Sequence, residues 1–376
     1  MENKGLRTVF LLGGLPKPRI EKRINLALKH SSVSLICWDK SGEGKTIPDE
    51  RYDKYIYPIK SSLDFATRIK PYFEYKKKAI QKLNEIQPDI LHTPGLHMAM
   101  IGYEYYKHAK KKPHIIYEIP DLLRMVVEPQ NSLIKNIAQK YFRYMEKKCC
   151  KVADALVITS EKYYDVHFSK FVDRSKVFYF PNVPDLTAFE SYEKTKHENF
   201  TVGFIGVIRY KRELINLIQA ADELGIRLLI AGDEIDGDEV ENALKGKGFV
   251  ERIGRFNFSE SAAQLYEKCD VIYSVYNADL QNCRIALPNK LYESIYCELP
   301  IIVAKDTYLS DLVEEMGVGV SVDHTSLDDL ISALKELMLY ENYSKYVKNC
   351  RLYKDEMDLN NFSAQYIEFL RNRIKA

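Results

Sequence analysis

Residues 201–233 read TVGFIGVIRYKRELINLIQAADELGIRLLIAGD, and this stretch decides the fold class. TVGFIG (201–206) is a short apolar run closed by glycine, and RLLIAG (227–232) is a second one. Between them 211–224 repeats apolar residues at helical spacing. A strand, an amphipathic helix and another strand form a βαβ unit, which calls for parallel strands with the helix packed on one face of the sheet.

The rhythm continues outward. Downstream, strands are expected at FVERIG (249–254), VIYSVY (271–276), IIVAK (301–305) and GVSV (319–322), with helices at 259–268, 289–297 and 326–340. Upstream, strands are expected at 8–14, 33–38, 55–59, 89–94, 114–119, 155–160 and 177–181, with helical stretches such as 61–87 and 95–110. The polar, proline-bearing PNVPDLTAFESYEKTKHEN (181–199) interrupts the pattern. The expected architecture is therefore α/β with two Rossmann-like, doubly wound parallel-sheet domains. They span 1–184 and 200–355, joined by a linker at 185–199, with a terminal amphipathic helix in 356–376. Such sheets bind ligands at the carboxyl ends of their strands, here in a cleft that both domains are expected to face.

With 46% hydrophobic and 29% charged residues the chain is globular rather than disordered. Its net charge of +2 conceals an asymmetry. Residues 1–185 hold 33 Lys and Arg against 21 Asp and Glu, whereas 186–376 hold 22 against 32. The basic half is expected to face an anion, either a phosphorylated acceptor or a membrane surface. Lys76–Lys78, Lys110–Lys112 and KYFRYMEKK (140–148) set cations among aromatic residues, a pattern suited to anionic lipid; a solvated helix face with tyrosines turned inward is the plainer alternative. The charge follows no nucleic-acid reading motif. Seven cysteines show no metal-ligand spacing and no Cys-x-x-Cys, and the vicinal Cys149–Cys150 pair is no ordinary staple, which points to a reducing compartment. MENKGLRTVFLLGG lacks the apolar core of a signal peptide, and no run of 18 apolar residues occurs. The expected location is cytoplasmic, with a peripheral seat on the inner face of the membrane.

Two segments carry chemistry. After Gly206, a turn containing Arg209, Lys211 and Arg212 leads into a helix whose free amides and positive dipole end suit a diphosphate. A solvated basic turn would look the same in isolation. In LPNKLYESIYCELPIIVA (287–304), Pro288 opens a helix and Leu299–Pro300 closes it before a strand. Lys290 and Glu293 lie three apart on one helix face, where the carboxylate can accept both hydroxyls of a ribose and the lysine can reach phosphate. An i, i+3 salt bridge is the plain alternative. Asp236-Gly237-Asp238 spells an Asp-x-Asp, a pattern that chelates a metal in another class of fold; in an acidic loop of a Rossmann-like domain it is read as solvated, and no metal is expected.

In order and spacing the chain resembles the retaining GT-B glycosyltransferases of the glycosyltransferase 4 kind, the group 1 glycosyl transferases. The resemblance rests on PDILH (88–92), YEIPDL (117–122), ADALVITS (153–160), FPNVPD (180–185), the glycine–cation–helix turn, LLIAGD (228–233) and PNKLYESIYCELPIIVA. It implies a hexosyl-type transfer from a nucleotide sugar, a UDP-sugar in preference to a GDP-sugar, with no other cofactor. It implies that Glu293 binds the donor ribose and that Lys290, Gly206 and the cations Arg209, Lys211 and Arg212 surround the diphosphate. The base would lie by Arg255–Phe256, and Gly13–Gly14 would form a loop closing on donor phosphate and acceptor.

Two departures stand out. Eight residues before the ribose-binding glutamate the family usually has a second glutamate; here Ile285 stands there, between Arg284 and Ala286, leaving backbone amides of 284–287 to hold the sugar. Where the family often has His before the aspartate of YEIPDL, this chain has Pro120, while Asp121 remains; His92 or His97 are the candidates to compensate. The implied reaction retains anomeric configuration, with the departing phosphate oxygen helping to deprotonate the acceptor, a glycan or lipid-linked glycan of bacterial surface polysaccharide. Domain closure would exclude water. The alternatives are a nucleotide-sugar epimerase and a non-catalytic subunit that keeps the fold and partners an active transferase.

Overall fold

The structure is a computed structural model that describes residues 5–61, 65–183, 186–195, 197–235, 237–354 and 359–374. The chain divides into two compact units, Met1–Pro181 with Asn360–Ala376, and Asn182–Leu359.

The first unit begins with β1 (Arg7–Leu12), α1 (Pro18–Leu28), β2 (Ser32–Asp39), β3 (Asp53–Pro58) and α2 (Phe65–Ile86). It continues through β4 (Ile90–Pro94), α3 (Leu96–His108), β5 (His114–Ile119), α4 (Arg124–Val127) and α5 (Leu133–Val152), and ends with β6 (Ala155–Ile158), α6 (Glu161–Val166) and β7 (Val177–Tyr179). The second unit opens with β8 (Thr201–Ile205), α7 (Lys211–Leu224), β9 (Arg227–Ala231), α8 (Glu239–Leu244) and β10 (Val250–Ile253). Next come α9 (Phe258–Glu267), β11 (Val271–Ser274), α10 (Gln281–Ile285), α11 (Asn289–Tyr296) and β12 (Ile301–Ala304). It closes with α12 (Tyr308–Met316), β13 (Gly319–Val322), α13 (Leu327–Met338) and α14 (Tyr340–Lys354). The last helix, α15 (Leu359–Arg373), belongs with the first unit.

Both sheets are wholly parallel: β3-β2-β1-β4-β5-β6-β7 in the first and β10-β9-β8-β11-β12-β13 in the second. In each, the order reverses direction beside the first strand, between β1 and β4 and between β8 and β11. Ligands of doubly wound folds gather at such switch points. Successive residues of each strand feed opposite cores, as a sheet covered on both faces requires. Val9 and Leu11 pack with Ile36 and Trp38, while Phe10 and Leu12 pack with Leu35 and Cys37. Val202, Leu228 and Ile230 face one layer of the second unit, and Ile205, Leu229 and Ala231 face the other.

Each expected strand is present, but several end earlier than their apolar runs. β8 stops at Ile205 and β9 at Ala231, because Gly206 (φ 150°) and Gly232 (φ 127°) leave the extended region. A Cβ on Gly232 would stand 1.9 Å from the Gly206 carbonyl oxygen, so these two strand ends meet only because a side chain is missing. The expected helix at 61–87 is observed from Phe65, with 62–64 outside the described residues. Of the segment read as linker, 184–185 and 196 lie outside the described residues; Leu186–Phe189 is a 3-10 turn, and Phe189 is buried against Phe258 and Tyr266 in the second unit. α15 packs on the edge strand of the first unit, with Tyr366 and Phe369 5.4 and 5.2 Å from Phe178. All seven cysteines are free, with Cys149 and Cys150 both buried in α5. No helix among the described residues is long and apolar enough to cross a membrane.

Candidate functional site

In the second unit the chain leaves β8 through Gly206 and turns toward α7. The buried Ile208 anchors the turn, its amide donating to the Asp233 carbonyl at 2.9 Å, while Val207 and Arg209 are exposed. Tyr210 occupies the N-cap of α7 without capping it through its side chain. The amides of Arg212 and Glu213 have no partner among the described residues, so the positive end of a 14-residue helix is left open.

The three cations of this turn differ. Lys211 contacts Glu239 and lies 3.5 Å from Glu234, and the hydrogen bond with Glu239 raises its pKa above the ordinary value. Arg212 Nη2 donates to Glu213 Oε1 at 2.9 Å and to His324 Nδ1 at 3.0 Å. Arg209 has no side-chain hydrogen bond or ion pair among the described residues. Of the three, its charge alone is uncompensated.

The second arm of the site is α11. Pro288 stands at its N-cap, and the amides of Leu287, Asn289 and Lys290 have no partner among the described residues. Glu293 is 1% exposed. Its Oε2 accepts from Lys290 Nζ at 2.5 Å and from the Tyr266 hydroxyl, whereas Oε1 has no hydrogen-bond partner among the described residues. Burial and then the Glu293 charge push the Tyr266 phenol well above its usual pKa, so it stays a donor. Lys290 Cε lies 3.9 Å from where a Gly206 Cβ would stand, which joins the two arms over the β8 strand end. The i, i+3 salt bridge is thus real, and it orients a carboxylate that is otherwise half-satisfied.

Ile285 is buried at the end of α10, and Arg284 is exposed with Nε donating to the Ala278 carbonyl at 2.6 Å. The expectation that amides 284–287 hold a sugar needs correction. Those of Arg284 and Ala286 already donate to Leu280 and Asn282 at 3.1 and 3.0 Å, because the segment folds into a helical turn. Arg255 is 88% exposed and pairs with Asp233 at 2.9 Å, beside a half-buried Phe256. Asp236 lies outside the described residues and Asp238 is exposed; among the described residues no group of three or more His, Cys, Asp or Glu is arranged to hold a metal.

In the first unit, Gly13 lines a groove of about 480 Å³ at the β1/β4 switch point. Gly14 follows with open space around it, and neither glycine has a positive φ. The groove also takes Trp38, Lys40, Arg68, Phe73, His97 and Tyr141. Burial and then the charges of Lys40 and Arg68 hold His97 down at about 4, so its imidazole is neutral at pH 7. Asp121 is exposed beyond β5, with the Tyr163 hydroxyl 3.5 Å from its Oδ1, and the Pro120 carbonyl accepts from Thr159 at 2.9 Å. His92 is buried, its Nε2 2.7 Å from Glu118 and its ring stacked on Phe10, and it lines a cavity of about 870 Å³ with Arg23 and Tyr366. His97 instead lines the groove at the β1/β4 switch point.

Sequence reasoning missed Tyr266, Lys40 and Arg68. Tyr266 sits on an amphipathic helix where a tyrosine reads as core, and only the fold brings it to Glu293. Lys40 carried a signal in hindsight, being the first residue past an apolar strand, where doubly wound sheets place ligand contacts.

Residues 187–352 match the family model described as glycosyl transferases group 1. Sucrose-phosphate synthase from Thermosynechococcus elongatus superposes with a TM-score of 0.77 at 13% identity, over 97% of this chain and 98% of that one. HepE from Anabaena, in complex with UDP and glucose, gives 0.71 at 15% identity over 98% and 100%. WaaG, described as a glycosyltransferase involved in lipopolysaccharide biosynthesis, gives 0.67 at 14% identity over 96% and 99%. These likenesses establish the GT-B fold of two Rossmann-like units. No curated protein matches the chain.

Proposed function

We propose that this glycosyltransferase, whose second unit is a group 1 glycosyl transferase domain, binds a UDP-sugar on that unit and transfers the sugar with retention to a glycan or lipid-linked acceptor on the first. Glu293 carries the reading. A ribose offers two adjacent hydroxyl donors, and Glu293 presents an oriented carboxylate with one oxygen fixed by Lys290 and Tyr266 and the other without a partner. That unpartnered oxygen is the acceptor a ribose hydroxyl needs.

Breaking the sugar–phosphate bond builds negative charge on the departing diphosphate. The open amides at the starts of α7 and α11 are fixed donors for that charge, set before the reaction begins, and the exposed, unpaired Arg209 adds a cation free to reach it. Lys290, reaching over Gly206, adds a second cation. The base is assigned to the Arg255–Phe256 turn. The departing phosphate oxygen takes the acceptor proton, and Asp121 is assigned to the acceptor side; no carboxylate nucleophile and no metal is invoked. That HepE is described with UDP and glucose supports UDP as the nucleotide, and the description of WaaG, involved in lipopolysaccharide biosynthesis, supports a role in bacterial surface polysaccharide synthesis.

Thermal unfolding with UDP, GDP, ADP and CMP, wild type against Glu293→Ala, tests the reading. Ligand at about a hundred times Kd adds roughly 2.7 kcal/mol of apparent stability. The expected outcome is a shift with UDP that disappears in the variant. A UDP shift that survives in Glu293→Ala, or no shift with any nucleotide, overturns it.

A further inference from the structure

The cavity of about 870 Å³ in the first unit lies on the sheet face turned away from Val9, Leu91 and Trp38. The strand register builds its floor. Thr8 pairs with Ile90; two residues further on, Phe10 pairs with His92 and His92 with Ile116. Alternate residues of a strand share a face, so these five side chains lie together beneath the cavity. α1 supplies Arg23, and α15 contributes Tyr366, Ile367 and Leu370 as a wall. The lining is mostly aliphatic, and among the described residues it includes two arginines, Arg23 and Arg371, but no Asp or Glu.

The polar groups of this cavity are short of partners. Arg23 is 2% exposed, yet its side chain makes no hydrogen bond among the described residues, and Nε and Nη2 are buried without one. Glu118 Oε1 is 3.7 Å from Arg23 Nε and is shared with Arg19 Nε at 3.0 Å. Burial lowers the Arg23 pKa from its ordinary value, and Glu118 is the one carboxylate among the described residues whose charge opposes that shift. Two guanidiniums therefore face one carboxylate, and one positive charge is left unmatched. The Tyr366 hydroxyl also has no hydrogen-bond partner among the described residues, and burial raises its pKa, so it is a donor at neutral pH. Its ring centroid lies 5.8 Å from the Arg23 guanidinium carbon, which places both donors in one site.

We propose that this cavity binds a small amphipathic monocarboxylate, its carboxylate accepting from Arg23 and Tyr366 and its apolar body lying against Phe10, Ile116 and Leu370. The charge count sets the headgroup: a monoanion neutralises one unmatched positive charge, whereas a phosphate dianion overshoots it. The walls set the body, since a sugar or nucleotide would press its hydroxyls against aliphatic side chains that offer them no hydrogen bond. The volume falls within the range of about 300–1,000 Å³ usual for small-molecule sites. Because α15 forms one wall, the bound ligand holds the C-terminal helix on the sheet of the first unit. The assignment is separate from the donor site of the second unit.

Full-length protein is titrated by calorimetry at neutral pH with octanoate, octan-1-ol and acetate, all below any micellar range. The expected result is saturable one-to-one binding of octanoate, at least about tenfold weaker binding of the alcohol, and no heat with acetate. Tyr366→Phe keeps the ring and so the packing, and should weaken octanoate by about tenfold through loss of the donor alone. Leu370→Trp fills the space and should abolish binding, with the melting temperature of each variant measured alongside. At about a hundred times Kd, octanoate should slow hydrogen exchange of the α15 amides by up to about a hundredfold. Trp38 is the single tryptophan of the chain and lines the separate groove at the β1/β4 switch point, so its emission should stay constant through the titration. No binding of octanoate, equal affinity for the acid and the alcohol, an unchanged affinity in Tyr366→Phe, or α15 exchange that octanoate leaves as it was would each overturn the proposal. A change in Trp38 emission that follows the titration would overturn it as well, by moving the ligand to the other groove.

Discussion

Two buried carboxylates, one in each unit, are held by different sets of neighbours. Glu118 is wholly buried, with Oε2 2.7 Å from His92 and Oε1 3.0 and 3.7 Å from Arg19 and Arg23. Burial alone would raise its pKa, but Arg23, His92 and Arg19 together bring it down to about 2. Arg23 is itself closed over by the Phe180 ring, 3.4 Å from its guanidinium carbon. Ion pairs hold this cluster, although Glu118 Oε1 and the nitrogens Arg19 Nε, Arg23 Nε and Arg23 Nη2 have no hydrogen-bond partner among the described residues. Glu293 is buried as deeply, yet it has one cation, one phenol and a bare oxygen. Two guanidiniums and an imidazole surround the first carboxylate, whereas one lysine and one phenol hold the second by a single oxygen.

The largest expected effect breaks the structural member of the pair. Glu118→Gln leaves Arg19 and Arg23 uncompensated in the core and should cost about 3–5 kcal/mol in urea unfolding, while activity per folded molecule is kept. A loss of activity without loss of stability would erase the distinction. On the functional side, Arg209→Ala should lower kcat by about 10²–10³ with stability unchanged, since the side chain is exposed and unpaired. Glu293→Gln should weaken UDP binding by about 1.5–3 kcal/mol, the worth of a hydrogen bond to a charged group, read by titration calorimetry. Lys211→Met should cost less than about tenfold, because Glu239 and Glu234 already absorb that charge; a loss equal to that of Arg209→Ala would show that the ion pairs open during turnover.

Acid sharpens the comparison further. The folded pKa of Glu118 lies below its ordinary value, so its stabilisation is complete above pH about 4.5 and fades as pH falls toward about 2. The acid limb of wild-type stability should therefore be steeper over that window than the limb of Glu118→Gln. Parallel limbs would mean that Glu118 is not the group titrating.

Much of this was legible from residue order. Alternating runs such as 201–206, 211–224 and 227–232 gave strands and helix because burial on both sheet faces demands continuous apolar strands. Lys290 and Glu293 were visible as a pair because three residues along a helix is a fixed distance. The differences among Arg209, Lys211 and Arg212 were invisible, because their partners Glu239 and His324 lie 28 and 112 residues away. His92 and His97 looked alike as strand-end histidines, and only the packing of Phe10 and Glu118 separates them.

The sequence by itself therefore determined the two parallel sheets, the glycine turn after β8 and the carboxylate of α11, since each depends on local periodicity or on backbone freedom at a named position. The tertiary structure alone decided which charges are spent and which are free, which cavity each histidine lines, that the C-terminal helix returns to the first unit, and that α5 turns its apolar residues outward. Charge compensation and burial are sums over neighbours distant in the chain, and no local pattern encodes them.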